Sequence, residues 1–510
     1  MKILLEMRPA LEGHAGIPQE TRLTFQGLNS LPGVSVDGLI QSGGRVLASG
    51  LPARRLGRSL NGHPSGHTLP RDVQLNRLAQ VVISLRERPG GLLPRRLADA
   101  LAAARSGLSL VAGQLFGRTQ ELTHFDTSHY RDFIWQSMFA KTLHPRHFDA
   151  VAGASYRVAA VPWGAMHRFG MLTRALSGRA RYPHLDTRGY DVMIAETPYP
   201  GRMTRGTALV VRYHDAIPLL MPHTISDRAY HQASHYQALR SNVLQGAYFS
   251  CVSDATRADL LSIFPQAAAR VVTIPNAVSE AYFPEESPRE RVPDILALHR
   301  HATMLRRADA GYAHDAERNR YDDSDPSFDY LLMVSTLEPR KNHLRLLSAW
   351  ERLRSNPRHR RLRLVLVGML GWDHKPIVQR CRPWMGSGEV MLLEDVPADE
   401  LRLLYRHAAV TVCPSLYEGF DFSGIEAMRS GGIVAASDIA AHRGVFADAA
   451  AYFNPYSVEA LAAALERLLG ESREGVRREL IEAGARNALR FLPERILPQW
   501  HDFLRSVTSA

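Results

Sequence analysis

Cysteine is nearly missing from this chain of 510 residues: Cys251, Cys381 and Cys413 are its only three, far apart and with no CxxC spacing. That excludes a disulfide framework and a cysteine-rich structural zinc site, and it fits a reducing compartment. Long hydrophobic runs are missing as well. The N-terminal run from Met1 to Leu5 is stopped by Glu6 and Arg8, short of the ~7 to 15 apolar residues of a signal-peptide core, and it reads as a β-strand. The most apolar stretch, Leu362 to Leu370, is interrupted by Arg363 and broken by glycine, whereas a membrane span needs ~20 apolar residues. The expected place is therefore the cytoplasm, soluble or peripheral on the inner face of the cytoplasmic membrane. With 45% hydrophobic, 22% charged and 8% aromatic residues, disordered and collagenous classes are excluded. At ~150 residues per domain, the length allows two large α/β domains.

Acids and aromatics are scarce in one region. From Pro52 to Arg118 there are eleven arginines, no lysine, and only Asp72, Glu87 and Asp99 as acids, which makes +8 of the total +11. No aromatic residue lies between Pro52 and Leu115, so nucleic-acid bases would find no stacking platform. Asp72 to Arg88 and Arg95 to Arg105 read as helices; in the first, Leu75, Leu78, Val82 and Leu85 lie opposite Val73, Arg77 and Gln80. Such a basic helix either attracts anionic lipid head groups or is the solvated face of an inserted helical pair. Both readings stay open.

Outside this insert of about 47–118, apolar runs alternate with helical segments. Met1 to Leu5, Val192 to Ala195, Ala208 to Tyr213, Tyr248 to Val252 and Val271 to Ile274 read as buried parallel strands. Tyr330 to Ser335, Leu362 to Val367, Val390 to Leu393, Val410 to Cys413, Ile433 to Ala436 and Ala450 to Phe453 repeat the pattern. Leu401, Leu404, Tyr405 and Ala408 mark a helix between Asp399 and Ala408. The alternation predicts two doubly wound parallel sheets. Their domains are expected at 1–285 and 328–490, with a connection at 286–327 and a final helix at 491–510. Asp323-Ser324-Asp325 has a spacing that suits a divalent metal beside a diphosphate, but it sits in this charged connection with no following strand to present it, and no metal site is assigned.

Two clusters carry chemistry. Ser335-Thr336-Leu337-Glu338-Pro339-Arg340-Lys341-Asn342-His343 follows a strand and opens a helix, so backbone N–H groups and two cations converge as in an anion site. Pro414 to Met428 does the same with carboxylates: Glu418 falls in the loop after a strand, where open α/β sheets bind ligands, and Glu426 on the new helix. Gly419 and Gly424 permit close backbone approach.

The order EPRKN (338–342), LVLVG (364–368) with Gly371-Trp372, DVPADELRLLY (395–405), PSLYEGFDFSGIEAM (414–428) and ASD (436–438) resembles the nucleotide-binding domain of family 4 retaining glycosyltransferases, which have the GT-B fold. In the first half Tyr213 to Pro218 resembles the family's HDxxP segment, Val252-Ser253 its VSxxT segment and Ile274 to Val278 its IPNGV segment. The resemblance implies roles. Arg340 and Lys341 would neutralise the leaving diphosphate, Glu418 would bind the donor sugar, Glu426 the ribose, and His214 would reach the sugar from the other domain. Backbone groups of Phe422, Ser423, Gly424 and Ile425 would contact sugar and phosphate, and Val396, in the DVPADELRLLY segment, would join the donor pocket. Gly16, in a Gly13-His14-Ala15-Gly16 loop, would approach the diphosphate. No cofactor or metal is implied; a nucleotide diphosphate sugar is the co-substrate.

Three departures stand out. Ser335 and Thr336 occupy a turn where relatives carry arginine, EGFDFSG replaces EGFGLP, and Gly444 follows His442-Arg443. The variant loop, with His129 to Trp135, resembles mannosyl-type enzymes of bacterial surface polysaccharide assembly. GDP-mannose is the first expected donor and a UDP-hexose the second, with a glycan or polyprenyl-diphosphate-linked acceptor and an anionic membrane surface met through 52–118. A GT-B epimerase or synthase and a non-catalytic scaffold are the rival expectations.

Overall fold

The structure, a computed structural model, describes residues 1–13, 16–48, 70–86, 104, 106–113, 117–307, 328–470 and 473–509. His14, Ala15, most of the basic insert with all but residue 104 of its Arg95 to Arg105 segment, and Asp323-Ser324-Asp325 lie outside the described residues.

The first sheet joins β1 (Lys2–Glu6), β2 (Ser35–Ile40), β3 (Leu122–Phe125), β4 (Tyr156–Ala159), β5 (Val192–Ala195), β6 (Ala208–Tyr213), β7 (Tyr248–Cys251) and β8 (Val271–Thr273). Their spatial order is β3-β4-β2-β1-β5-β6-β7-β8, parallel except for β3, which runs antiparallel along β4. The second sheet joins β9 (Tyr330–Val334), β10 (Arg363–Val367), β11 (Val390–Leu393), β12 (Val410–Cys413), β13 (Val434–Ser437) and β14 (Ala450–Phe453) in the order β11-β10-β9-β12-β13-β14, parallel throughout. In both sheets the strand order reverses beside the first strand, between β1 and β5 and between β9 and β12. A crevice opens there at the carboxyl ends of the strands.

Side-chain alternation splits each sheet's apolar residues between two cores. Ile3 and Leu5 of β1 join one cluster, while Leu4 joins another on the opposite face. The principal helices covering these faces are α1 (Ile17–Asn29), α2 (Arg71–Arg86), α3 (Trp163–Ser177), α4 (Arg228–Leu244), α5 (Arg291–Arg307), α6 (His343–Arg354), α7 (Ala398–His407), α8 (Phe422–Arg429) and α9 (Pro493–Ser509). α9 returns to the first sheet: Ile496, Trp500, Phe503, Leu504 and Val507 are buried in the same cluster as Ile3, Phe25 and Ile194. Trp500 also stacks on the guanidinium of the buried Arg212, 5.1 Å from its ring centre.

Two local outcomes bear on the sequence reading. The charged stretch between the sheets contains α5, whose Val292, Ile295 and Leu296 are buried with the second sheet's residues, so this part of the connection is packed structure. In α2, Leu78 and Val81 are buried in the first core and Leu75, Val82 and Leu85 pack against it. In α2 the basic insert thus spends most of its apolar side on the protein interior.

Candidate active site

Strands β9 and β12 flank the reversal of the second sheet, and each delivers one cluster to its carboxyl end. After β9 the chain enters a tight turn at Pro339–Lys341, ended by Asn342 in the left-handed conformation (φ 65). The Asn342 amide donates to the carbonyls of Pro414 and Pro455, each at 3.0 Å, which ties this turn to the segment after β12. The backbone adds a bond from Leu416 N–H to the Arg340 carbonyl at 2.9 Å.

These ties bring charge together. Glu418 is buried with one carboxylate oxygen 2.9 Å from Arg340 Nη1 and the other 2.5 Å from Lys341 Nζ. Arg340 also donates to Glu338 Oε1 at 2.7 Å and to the Tyr417 carbonyl at 2.6 Å. Burial alone would raise the Glu418 carboxyl, but the Arg340 and Lys341 charges hold it below the ordinary glutamate value, so it is ionised. Three residues on, Asp421 caps α8: its Oδ1 accepts from the Ser423 backbone N–H at 3.0 Å and from the Ser423 hydroxyl at 2.6 Å. Its Oδ2 meets His442 Nε2 at 3.2 Å. Against the raising effect of burial, His442 and Lys341 hold Asp421 well below the ordinary carboxylate range.

The first turn of α8 holds Phe422, Ser423, Gly424 and Ile425. Ile425 is core, and Gly424 lies flat against the Phe446 ring, where a Cβ would sit 2.2 Å from Cζ. What these residues can offer a ligand is therefore their backbone N–H groups at a helix N-terminus. Glu426 is placed otherwise than as a free carboxylate: its Oε1 accepts from Gln19 Nε2 of the first domain at 2.7 Å and its Oε2 from the Tyr405 hydroxyl at 3.1 Å. Burial pushes it up to about 7. Val396 packs at the rim of the second core, and Gly16, with φ 70, immediately precedes α1. Neither has a bond to the Glu418 cluster.

Across the crevice stand His214 and Asp215, at the end of β6. The two domains touch here through backbone: a Cβ on Gly419 would lie 1.7 Å from the His214 carbonyl oxygen. Thr256 Oγ1 donates to the Gly419 carbonyl at 3.3 Å, Tyr417 bonds to Asp259, and Trp372 Nε1 donates to the Thr224 carbonyl at 2.7 Å. Burial lowers His214 to about 4, so it is a neutral imidazole at pH 7, with Nε2 3.3 Å from Glu196 Oε2.

Behind His214 lies a polar cluster that sequence reading missed. Glu6 and Arg8, read as interruptions of an apolar run, are buried and paired at 2.7 Å, and Glu6 Oε2 accepts the Glu196 N–H at 3.0 Å. Glu20 accepts from Arg212 Nε at 2.9 Å. Among the described residues, Glu20, Glu196 and His214 can offer three ligand atoms to a cation, all within 4.8 Å of one another. Burial pushes both carboxyls up to about 7. The signal available in sequence was position: Glu6 and Glu196 each close a buried strand at its carboxyl end.

Two Rossmann-like domains facing each other across a crevice, with cations and a carboxylate at the reversal of the second sheet, define the GT-B class. Sucrose-phosphate synthase from Thermosynechococcus elongatus shares this fold at a TM-score of 0.54 and 15% identity, over 100% of this chain and 99% of that one. A glycosyltransferase from Rickettsia africae does so at 0.50 and 12%, over 99% and 98%. Residues 318–487 match the family described as Glycosyl transferases group 1. The chain is 31% identical over 268 residues to O-antigen chain mannosyltransferase B of Escherichia coli, covering 52% of this chain and 61% of the relative. It is 23% identical over 268 residues to the serotype-specific mannosyltransferase WbdA of Escherichia coli, covering 52% and 29%. The likeness to these mannosyltransferases extends over about half of this chain and spans less than two thirds of the relatives' own length. No helix among the described residues is long and apolar enough to cross a membrane.

Proposed function

We propose that this protein is a retaining glycosyltransferase that moves a hexose, mannose from GDP-mannose as the first donor, onto a lipid-linked or growing glycan in surface polysaccharide assembly. The observation that carries the proposal is the meeting of Glu418 with Arg340 and Lys341 at the carboxyl ends of β9 and β12, opposite a neutral His214. Breaking a glycosyl phosphate places negative charge on the departing diphosphate and positive charge on the sugar. Cations fixed at the diphosphate stabilise that separation more than they stabilise the intact donor. Phosphate oxygens replace Glu418 on Arg340 and Lys341, which turns the carboxylate toward the sugar hydroxyls. Glu426 takes the ribose by giving up its bonds to Gln19 and Tyr405. The N–H groups opening α8 bind phosphate and sugar, and His214 contacts the sugar from the acceptor side.

In this reading the cations do the electrostatic work without a metal, and the enzyme acts at the cytoplasmic face of the membrane. Support for mannose comes from the relatives, whose names describe mannosyltransferases. The departure at EGFDFSG, next to the sugar-binding Glu418, keeps a UDP-hexose as the second donor. The test is a thermal-shift screen without added metal against GDP, UDP, ADP and their sugar conjugates, since a ligand at 100 times its Kd stabilises the native state by about 2.7 kcal/mol. A selective shift with GDP or GDP-mannose is expected. A shift with UDP compounds alone overturns the donor, and no shift in a folded sample overturns the enzyme.

A further inference from the structure

The apolar side of α2 is buried, but another helix of the first domain is built the opposite way. The N-terminal half of α3 is core, with Ala165, Met166, His167, Phe169 and Gly170 buried. Its C-terminal half leaves that core: Leu172 is 53% and Leu176 80% exposed, one turn apart on the same side. Beside α3 the helical turns of 106–113 repeat the pattern. Leu110 is buried in one cluster with Ala165 and Phe169, while Leu108 is 70% and Val111 40% exposed. The chain that follows 106–113 is bonded to the chain that follows α3, from Gln120 N–H to the His184 carbonyl at 2.6 Å and from Asp186 N–H to the Gln120 carbonyl at 2.8 Å.

Along this stretch of chain the charge is of one sign. No aspartate or glutamate occurs between residues 150 and 185. Arg168, Arg174, Arg179 and Arg181 are exposed, and none makes an ion pair among the described residues. Local geometry gathers them. Gly178, left-handed at φ 73, ends α3 by donating to the Arg174 carbonyl at 2.8 Å. The chain then folds back, and the Arg181 N–H bonds to Thr173 Oγ1 at 2.9 Å. Arg179 and Arg181 therefore flank the same helical turns that expose Leu172 and Leu176. Tyr230 of the neighbouring α4, itself partly exposed, stands within the fields of both Arg168 and Asp227.

We infer that this face, the C-terminal end of α3 with 106–113, seats the protein on an anionic lipid bilayer. Leucines at the acyl boundary and unpaired arginines at the head groups are the two contributions such binding needs. The charge selects the occupant, because a groove for a neutral apolar partner needs no ring of uncompensated guanidiniums. The inference does not depend on the donor chemistry, and lipid affinity is read without any sugar transfer.

The experiment is sedimentation of the full chain with phosphatidylcholine vesicles, with and without about 30% phosphatidylglycerol, at low and high salt. Binding to the anionic vesicles alone, weakened by salt, is expected. Leu172→Ser with Leu176→Ser, and separately Arg174→Glu with Arg179→Glu and Arg181→Glu, should each weaken it at least tenfold while leaving the melting curve in place, since all five side chains are exposed. If both variants bind as the wild type does, the surface is wrong and the contact lies elsewhere, the rest of the basic insert included. If the wild type ignores anionic vesicles but self-associates in a leucine-dependent way in analytical ultracentrifugation, the face is a protein contact and the inference is overturned.

Discussion

Gly419 is the point where closure of the two domains can be tested with one methyl group. Its backbone passes so near β6 that a Cβ would lie 1.7 Å from the His214 carbonyl oxygen and 3.3 Å from Asp215 Cβ. A carbon and a carbonyl oxygen need roughly 3.3 Å, so Gly419→Ala demands about 1.6 Å of retreat. The loop cannot supply it locally. Tyr417 is held by Arg340 at 2.6 Å, Leu416 by the Arg340 backbone at 2.9 Å, and His214 directly follows a buried strand. The displacement therefore falls on the interface between domains and loosens the Thr256 bond to Gly419 and the Gln19 bond to Glu426. A ~1 Å misplacement of reacting groups costs about 10²-fold in rate, so kcat should fall by at least that factor. Nucleotide binding measured by calorimetry should stay within about threefold, because Arg340, Lys341 and the α8 N-terminus belong to one domain. Small-angle scattering of the variant should give a larger radius of gyration. A variant with wild-type kcat and unchanged dimensions would refute the argument that this contact defines the working closed state.

Two further outcomes follow from the same geometry. Glu418→Gln should abolish transfer; Glu418→Ala should do so as well and also lower the melting midpoint by several degrees, because removing one partner of a buried ion pair costs about 3 kcal/mol. The Arg340 to Glu338 bond at 2.7 Å keeps that cost at the lower end, and full activity in either variant sinks the role given to Glu418. The pH dependence has a definite sign. Glu426 titrates at about 7 in the folded chain and near ~4.3 unfolded, so the native state holds a proton that the unfolded chain has lost, and stability falls as pH rises through this window. Buried histidines work the other way: His214, lowered to about 4, and His167, His235 and His343, lowered to about 3, add stability as pH rises through their unfolded value of ~6.5. Between pH 6.5 and 8 the loss from Glu426 alone is about 1 kcal/mol. Glu426→Gln removes that loss, so from pH 6.5 to 8 the melting midpoint of the wild type should fall relative to that of the variant; a difference that does not change with pH refutes the buried protonated acid.

What could be read in the sequence, and what could not, follows from how far each signal reaches along the chain. The strands of the second sheet are continuous apolar runs, buried on both faces, and the sequence reading finds all of them. In the first sheet β2, β3 and β4 escape it, β2 and β4 because each carries a charged residue that looks like a break. Asp37 of β2 is buried and neutralised by Arg157 of β4 at 3.3 Å and by the Tyr190 hydroxyl. Gly38 makes room for the Tyr156 ring, 2.6 Å from where a Cβ would be. A charge met by a partner 120 residues away cannot be told, in one sequence, from a charge left in solvent.

The same limit divides the site. Arg340 with Lys341, and Glu418 with Asp421, sit in short segments that follow recognisable strands, so their convergence is expected from the doubly wound pattern alone. The Gln19 bond to Glu426 joins residues 407 apart and exists only when the domains close. Glu6 gives the sharpest case. A glutamate after an apolar run reads as the strand's exit into water, yet here it is fully buried. Its charge is met by Arg8 two residues on and its second oxygen by a backbone N–H from the end of β5. A carboxylate at the carboxyl end of a parallel strand costs little when neighbouring strands aim N–H groups at it and an arginine lies within reach. That is also the condition under which such a strand end serves a ligand, so a charged residue closing a buried strand in a doubly wound sheet is better taken as the edge of a site than as the start of solvent.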